Sequence, residues 1–150
     1  MFVTDNNDLS ISITVAQTPH DVYSAINNVR GWWSSNAHGK TSRLHDEFLL
    51  DFKRHWWVFK IIETIPGKKV VWKCTGSYMP WNEDEHEWSD TIVEFEILQF
   101  DSKTNLKFTH KGLLPQCACF EGCLKGWTGY IRISLANLIE KGIGTPDTAY

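Results

Sequence analysis

The stretch QCACFEGCLKGWTGYIRISLANLIEK, residues 116–141, decides how the rest of the chain must fold. Within it Phe120, Leu124, Trp127, Ile131, Leu135 and Leu138 recur at spacings of 4, 3, 4, 4 and 3. One face of a 3.6-residue helix presents such a stripe to a core. Gly122, Gly126 and Gly129 interrupt the pattern, and each costs roughly 0.5 to 1 kcal/mol relative to Ala inside a helix. Burying the apolar side chains stabilises by roughly 1.5 to 3 kcal/mol apiece at most, so packing outweighs propensity. The helix therefore needs a large apolar surface against its stripe, and the glycines withhold side chains from the space facing or flanking that surface.

The covering surface has to come from the rest of the 150 residues, a length that supports one domain, 1–150, with one proper core. A hydrophobic share of 42% with 22% charged residues is that of a soluble globular protein, and no apolar run approaches a membrane span. Met1 to Asp8 is polar and acidic, unlike a secretory signal, so a cytoplasmic location is expected. A net charge of -3 offers no broad basic field for a nucleic-acid backbone. Cys74, Cys117, Cys119 and Cys123 are read as free thiols, since nothing places them in an oxidising compartment. Eight tryptophans, Trp32 to Trp127, dominate any core that they join.

Alternation supplies the surface. Leu9 to Val15 reads as a half-buried strand, with Leu, Ile, Ile and Val on one face and Ser, Ser and Thr on the other. Thr18-Pro19-His20-Asp21 is a helix start, with Thr18 as N-cap, and Val22, Ala25, Ile26 and Val29 supply its buried face. Gly31-Trp32-Trp33 follows, where one Trp is expected to plug the core and the other to sit at a rim. Glu47 to Phe52 and Trp56 to Ile65 read as strands, and Val70 to Gly76 pairs with the latter across Pro66-Gly67. Met79 to Asp90 is a loop, with Glu83, Asp84, Glu85 and Glu87 bracketed by Trp81 and Trp88. Thr91 to Phe100 and Asn105 to Lys111 form another hairpin, and Gly142 stands where a C-cap glycine belongs.

In that order, Thr18-Pro19-His20-Asp21-Val22-Tyr23-Ser24-Ala25 with Gly31-Trp32-Trp33, then Leu106-Lys107-Phe108-Thr109-His110-Lys111-Gly112, then Gly126-Trp127 with its following leucines, resemble the START-like or Bet v 1-like superfamily. Within it they are most similar to the group related to the activator of Hsp90 ATPase. The resemblance implies an α+β helix-grip fold. A curved antiparallel sheet of about six strands wraps a long C-terminal helix, two short helices follow strand 1, and a hydrophobic cavity lies between sheet and helix. Members of the superfamily bind lipids, cyclise polyketides or assist a chaperone, so the fold alone leaves function open. Two departures from the pattern stand out: the long acidic loop at residues 79–90, and Cys117, Cys119 and Cys123 at the helix start.

The expected cavity lining is Trp57, Phe59, Trp72, Phe95, Phe108, His110, Phe120, Trp127 and Ile131, all on strand or helix faces that point to one interior. Such a space suits an apolar or aromatic small molecule, although the same rings can simply fill a core. His110 needs a polar partner there, either a ligand oxygen or a backbone group. Cys119 and Cys123 share a helix face, but the C-x-C-x3-C spacing matches no common zinc pattern, and no metal or cofactor is expected. Trp81, His86 and Trp88 in the acidic loop could cage a cation or meet a partner, against the commoner case of a solvated loop. Asp51, Glu63 and His110 are only scattered acid–base candidates, and no catalytic motif appears. The leading reading is ligand binding without chemistry, with a chaperone-assisting module or a cyclase-like enzyme as alternatives.

Overall fold

A computed structural model describes residues 7–148; Met1 to Asn6, which carry most of the polar start, and the last two residues lie outside the described part. Strand β1 (Leu9–Val15) leads into α1 (Pro19–Asn27) and the four-residue α2 (Val29–Trp32). Six strands follow: β2 (Ala37–Gly39), β3 (Glu47–Asp51), β4 (Trp56–Ile65), β5 (Lys69–Tyr78), β6 (Ile92–Phe100) and β7 (Lys103–Lys111). The chain ends in one continuous helical run made of α3 (Phe120–Thr128), a π-helical segment (Gly129–Leu135) and α4 (Ala136–Lys141).

All strands join one antiparallel sheet in the order β1-β7-β6-β5-β4-β3-β2. The sheet has seven strands where about six are expected, because β2 is three residues long and carries no alternation that a sequence could show. Two register shifts interrupt the β4–β5 pairing, one between Val58 and Phe59 and one between Ile61 and Glu63. Bulges of this kind bend strands and tighten twist, which curls the sheet around the helix. Local signals act as read: Thr18 accepts from the Asp21 amide while Asp21 accepts from the Thr18 amide, and Gly142 caps the last turn at φ 80°.

The helix differs from the expected one at both ends of its stripe. Residues 115–119 form turns, and regular helix begins at Phe120. Beyond Gly129 the wider π turn adds a residue, so the buried positions run Trp127, Ile131, Leu135 and Ile139 rather than ending on Leu138. A π turn advances i to i+5, which displaces a 3.6-residue stripe by one position.

Both adjacent tryptophans enter the core, and this corrects the expectation that one sits at a rim. The short α2 ends at Trp32, so the two side chains need not share a helix face. Trp32 is fully buried and Trp33 is 1% exposed. Their rings stack at 5.9 Å, and both stack on Trp72 at 6.3 Å. Trp32 also meets Phe95 edge-on, and Trp33 meets Phe59. The concave face of the sheet is thereby filled from the side of α2. Trp72→Ala is expected to lower unfolding free energy by about 3 to 5 kcal/mol. By contrast Phe100→Ala, at a side chain 68% exposed, should stay within about 0.5 kcal/mol in urea unfolding.

Candidate functional site

Because the two tryptophans fill the concavity, open space is displaced to one end of the helix. A cavity of about 420 Å³ lies between the loop at residues 79–90 and the start of the helical run. Trp33 and Trp57 form its floor, and Met79, Trp81, Asn82 and Trp88 come from the loop. Ala118, Cys119, Gly122, Cys123, Gly126, Trp127 and Tyr130 complete the helix side. The volume falls within the range of small-molecule sites, roughly 300 to 1,000 Å³.

Of the nine residues expected to line a cavity, Trp57 and Trp127 do so. Phe59, Trp72, Phe95, Phe108, His110 and Ile131 are fully buried and pack away from this space, and Phe120 packs half-buried against the same core. The lining contributed by Trp33, Met79 and Asn82 carries no periodic signal, since each comes from an irregular segment. Cys119 and Cys123 are legible as a helix-face pair. The glycines are legible as missing side chains, and a Cβ built on Gly122 or Gly126 meets nothing within 4 Å.

Three indoles form a stack at one wall. Trp88 lies between Trp57, at 4.6 Å, and Trp127, at 5.6 Å with ring planes 8° apart. The Nε1 atoms of Trp33 and Trp57 have no acceptor in hydrogen-bond geometry and no exposed surface of their own, and the Trp88 indole N–H faces the Cys119 and Cys123 sulfurs, so the rings present carbon to the cavity. The wall is apolar for that reason, despite the indole donors it contains.

Behind the stack stands His110. Its Nδ1 accepts from Trp127 Nε1 at 3.1 Å, which leaves Nε2–H to donate to Thr91 Oγ1 at 2.8 Å. Thr91 Oγ1 in turn donates to the Trp88 carbonyl at 2.5 Å. The ring satisfies the polar needs of a buried histidine entirely from the protein, and it fixes Trp127 and Trp88 relative to each other. Complete burial pushes its pKa down to about 3.

Glu87 holds the loop on the helix. Its carboxylate accepts from the Cys119 amide at 2.9 Å, the Ala118 amide at 3.1 Å and Asn82 Nδ2 at 3.0 Å. The carboxylate accepts from the two turn amides that lead into α3, and so pins the loop to the approach of the helix. Burial disfavours the charge, but the Cys119, Asn82 and Ala118 donors outweigh it and hold this carboxyl below its usual range. The loop is therefore docked rather than simply solvated. Met79, Asn82 and Trp88 are buried, while Glu83, Asp84 and Glu85 remain exposed.

Cys74, inside β5, has its thiol pushed up to about 12 by burial. Among the described residues no cluster of three or more His, Cys, Asp or Glu side chains gathers to hold a metal ion. No helix is long and apolar enough to cross a membrane, again among the described residues.

No family model matches the chain, and no curated protein matches it. Solved structures do match. The solution structure of the Aha1 dimer from Colwellia psychrerythraea is 23% identical, covers 91% of this chain and 98% of that one, and superposes with a TM-score of 0.75. A crystal structure of a protein from Chromobacterium violaceum is 18% identical, with 89% and 97% covered and a TM-score of 0.68. DynU16, a protein of the dynemicin biosynthetic locus, is 15% identical over 93% of this chain and 49% of that one, with a TM-score of 0.66. At these identities the likeness shows the fold. The chain has an α+β helix-grip architecture, and an Aha1 protein shares that architecture with it.

Two measurements check the supports of the cavity. Between pH 6.5 and about 3 the unfolded chain takes up a proton at His110 that the folded protein refuses. This contribution is whole above the unfolded pKa, and stability then falls by about 1.4 kcal/mol per pH unit. Urea unfolding at stepped pH should show that slope, and His110→Asn, which retains an acceptor for Trp127 but cannot titrate, should flatten it. Glu87→Ala should cost about 1 to 3 kcal/mol and raise hydrogen exchange at the Ala118 and Cys119 amides.

Proposed function

We propose that the protein binds an apolar or aromatic small molecule in the cavity between the 79–90 loop and the helix start, and does so without chemistry. The observation that carries this reading is the pair Gly122 and Gly126, exposed where the helix borders the cavity, whose missing side chains leave the way to the indole stack open. A glycine inside a helix lowers its stability, and at these exposed positions no close contact requires one. A fold that keeps two of them against an apolar cavity retains room for an occupant. The three-indole wall suits a flat apolar body through stacking and edge contacts. The engaged state of His110 and Glu87 leaves neither free to serve as acid or base.

A panel of lipids and aromatic compounds, read by tryptophan fluorescence and native mass spectrometry, tests the proposal. Gly126→Leu should keep the fold, with a melting temperature equal to or above that of the parent. It should weaken the strongest binder at least about tenfold, or about 1.4 kcal/mol. If Gly126→Leu unfolds the chain, the glycine serves close packing and the cavity loses its support. If no compound of the panel binds the parent, the reading fails.

The likeness to an Aha1 protein, across 98% of that chain, favours a second reading, a module that assists an Hsp90-type chaperone. Enrichment of such a chaperone in a pull-down and a change in its ATPase rate are expected if it holds, and the absence of both removes it.

A further inference from the structure

Two thiols open on the same cavity. Cys119 immediately precedes α3 and Cys123 lies one turn on, with the Cys123 amide donating to the Cys119 carbonyl at 2.7 Å. Both line the cavity, and their thiols are close enough to influence each other's ionisation beside the Trp88 indole. Both are free thiols. The i, i+4 spacing sets their Cβ atoms about 5 to 6 Å apart, whereas a disulfide requires about 3.5 to 4.5 Å. The pair is thus held too far apart to close on itself without unwinding the helix. A single atom bonded to both sulfurs at about 2.3 Å spans that gap with the helix intact.

The surroundings narrow what that atom is. Glu87 and His110, the nearest groups able to act as harder ligands, are spent on the loop–helix junction and on Trp127. No third ligand joins the two sulfurs among the described residues. An ion that demands four protein ligands is poorly served, while thiolates select soft centres. The space next to the sulfurs is apolar and indole-walled, so it accommodates an organic substituent on that centre. We propose that Cys119 and Cys123 act as a chelating dithiol for a compound in which a soft, thiol-seeking centre carries an apolar organic group, of which a trivalent arylarsenical is the simplest. This rests on the cavity being a ligand site.

With an arylarsenic oxide the step balances without redox change. Two As–S bonds form, the As=O bond and two S–H bonds break, and the oxygen leaves as water with both thiol protons. Arsenic remains trivalent throughout. The proximity of the two thiols lowers the pKa of Cys123 and raises that of Cys119, which burial raises further.

Phenylarsine oxide is the probe, with arsenite as the arm lacking an organic group. The full chain should form a one-to-one adduct whose mass gain equals the reagent less one water, with loss of two titratable thiols. Cys119→Ser and Cys123→Ser should each weaken binding by about 100-fold, the scale expected when one arm of a chelate is removed. Cys117→Ser should leave it unchanged, and arsenite should bind at least tenfold more weakly than phenylarsine oxide. An adduct that survives either single variant, an arsenite affinity equal to that of phenylarsine oxide, or no adduct with the parent overturns the proposal. If either serine variant fails to fold by circular dichroism, Cys119→Ala or Cys123→Ala takes its place. The two ideas separate cleanly. A neutral aromatic binder retained by both variants, with the arsenical lost from the parent as well, sinks the dithiol and leaves the cavity reading standing.

Discussion

One hydrogen bond, from the Trp127 indole to His110, joins the helix to the sheet at the point where everything else meets. It crosses from the helical run to β7 with both partners buried, where an unmet donor would cost far more than the bond itself gains. Trp127 also contacts Trp33, Phe108 and Trp88, which come from the residue that follows α2, from β7 and from the acidic loop. A rotation of the helix that broke this bond would open all of those contacts together. The orientation of the helix is consequently set at one residue and spread outward by ring packing.

The loop at residues 79–90 depends on the same point. Thr91, bonded to His110, fixes the Trp88 carbonyl, and Trp88 enters the stack between Trp57 and Trp127. Glu87 then reaches the amides at the helix start from a loop whose far end is already anchored. Of the acidic residues at 83, 84, 85 and 87, Glu87 is tied to the approach of the helix, Asp84 accepts from the His86 amide within the loop, and the first three face solvent. The cavity is what is left when a loop is pinned at Trp88 and Glu87 against a helix that has no side chains at 122 and 126.

Much of the fold was legible because it rests on periodicity. Leu106, Phe108 and His110 alternate inward as their spacing requires, and Val22, Ala25 and Ile26 form the buried face of α1. The position of the site was less legible, and Trp32 and Trp33 are the reason. No pattern shows that a four-residue helix turns both rings into the concavity, so Phe59, Trp72, Phe95 and Phe108 could be read equally as lining or as filler. Contacts such as Glu87 with the Cys119 amide join residues 32 positions apart through loops, where spacing carries no information. The signals that did survive were chemical rather than periodic: glycines in a helix, two cysteines one turn apart, and tryptophans bracketing a charged loop.

The π-helical segment at Gly129–Leu135 separates the helix into halves with different obligations. Before it, α3 carries Gly122, Cys123, Gly126 and Trp127 along the cavity; Leu135, at its end, and Ile139, beyond it, pack into the core. The extra residue in the wide turn resets the angular register between them, so a substitution that reshapes the front half along the cavity need not drag the rear half off its packing surface. A regular helix throughout would tie the two surfaces together.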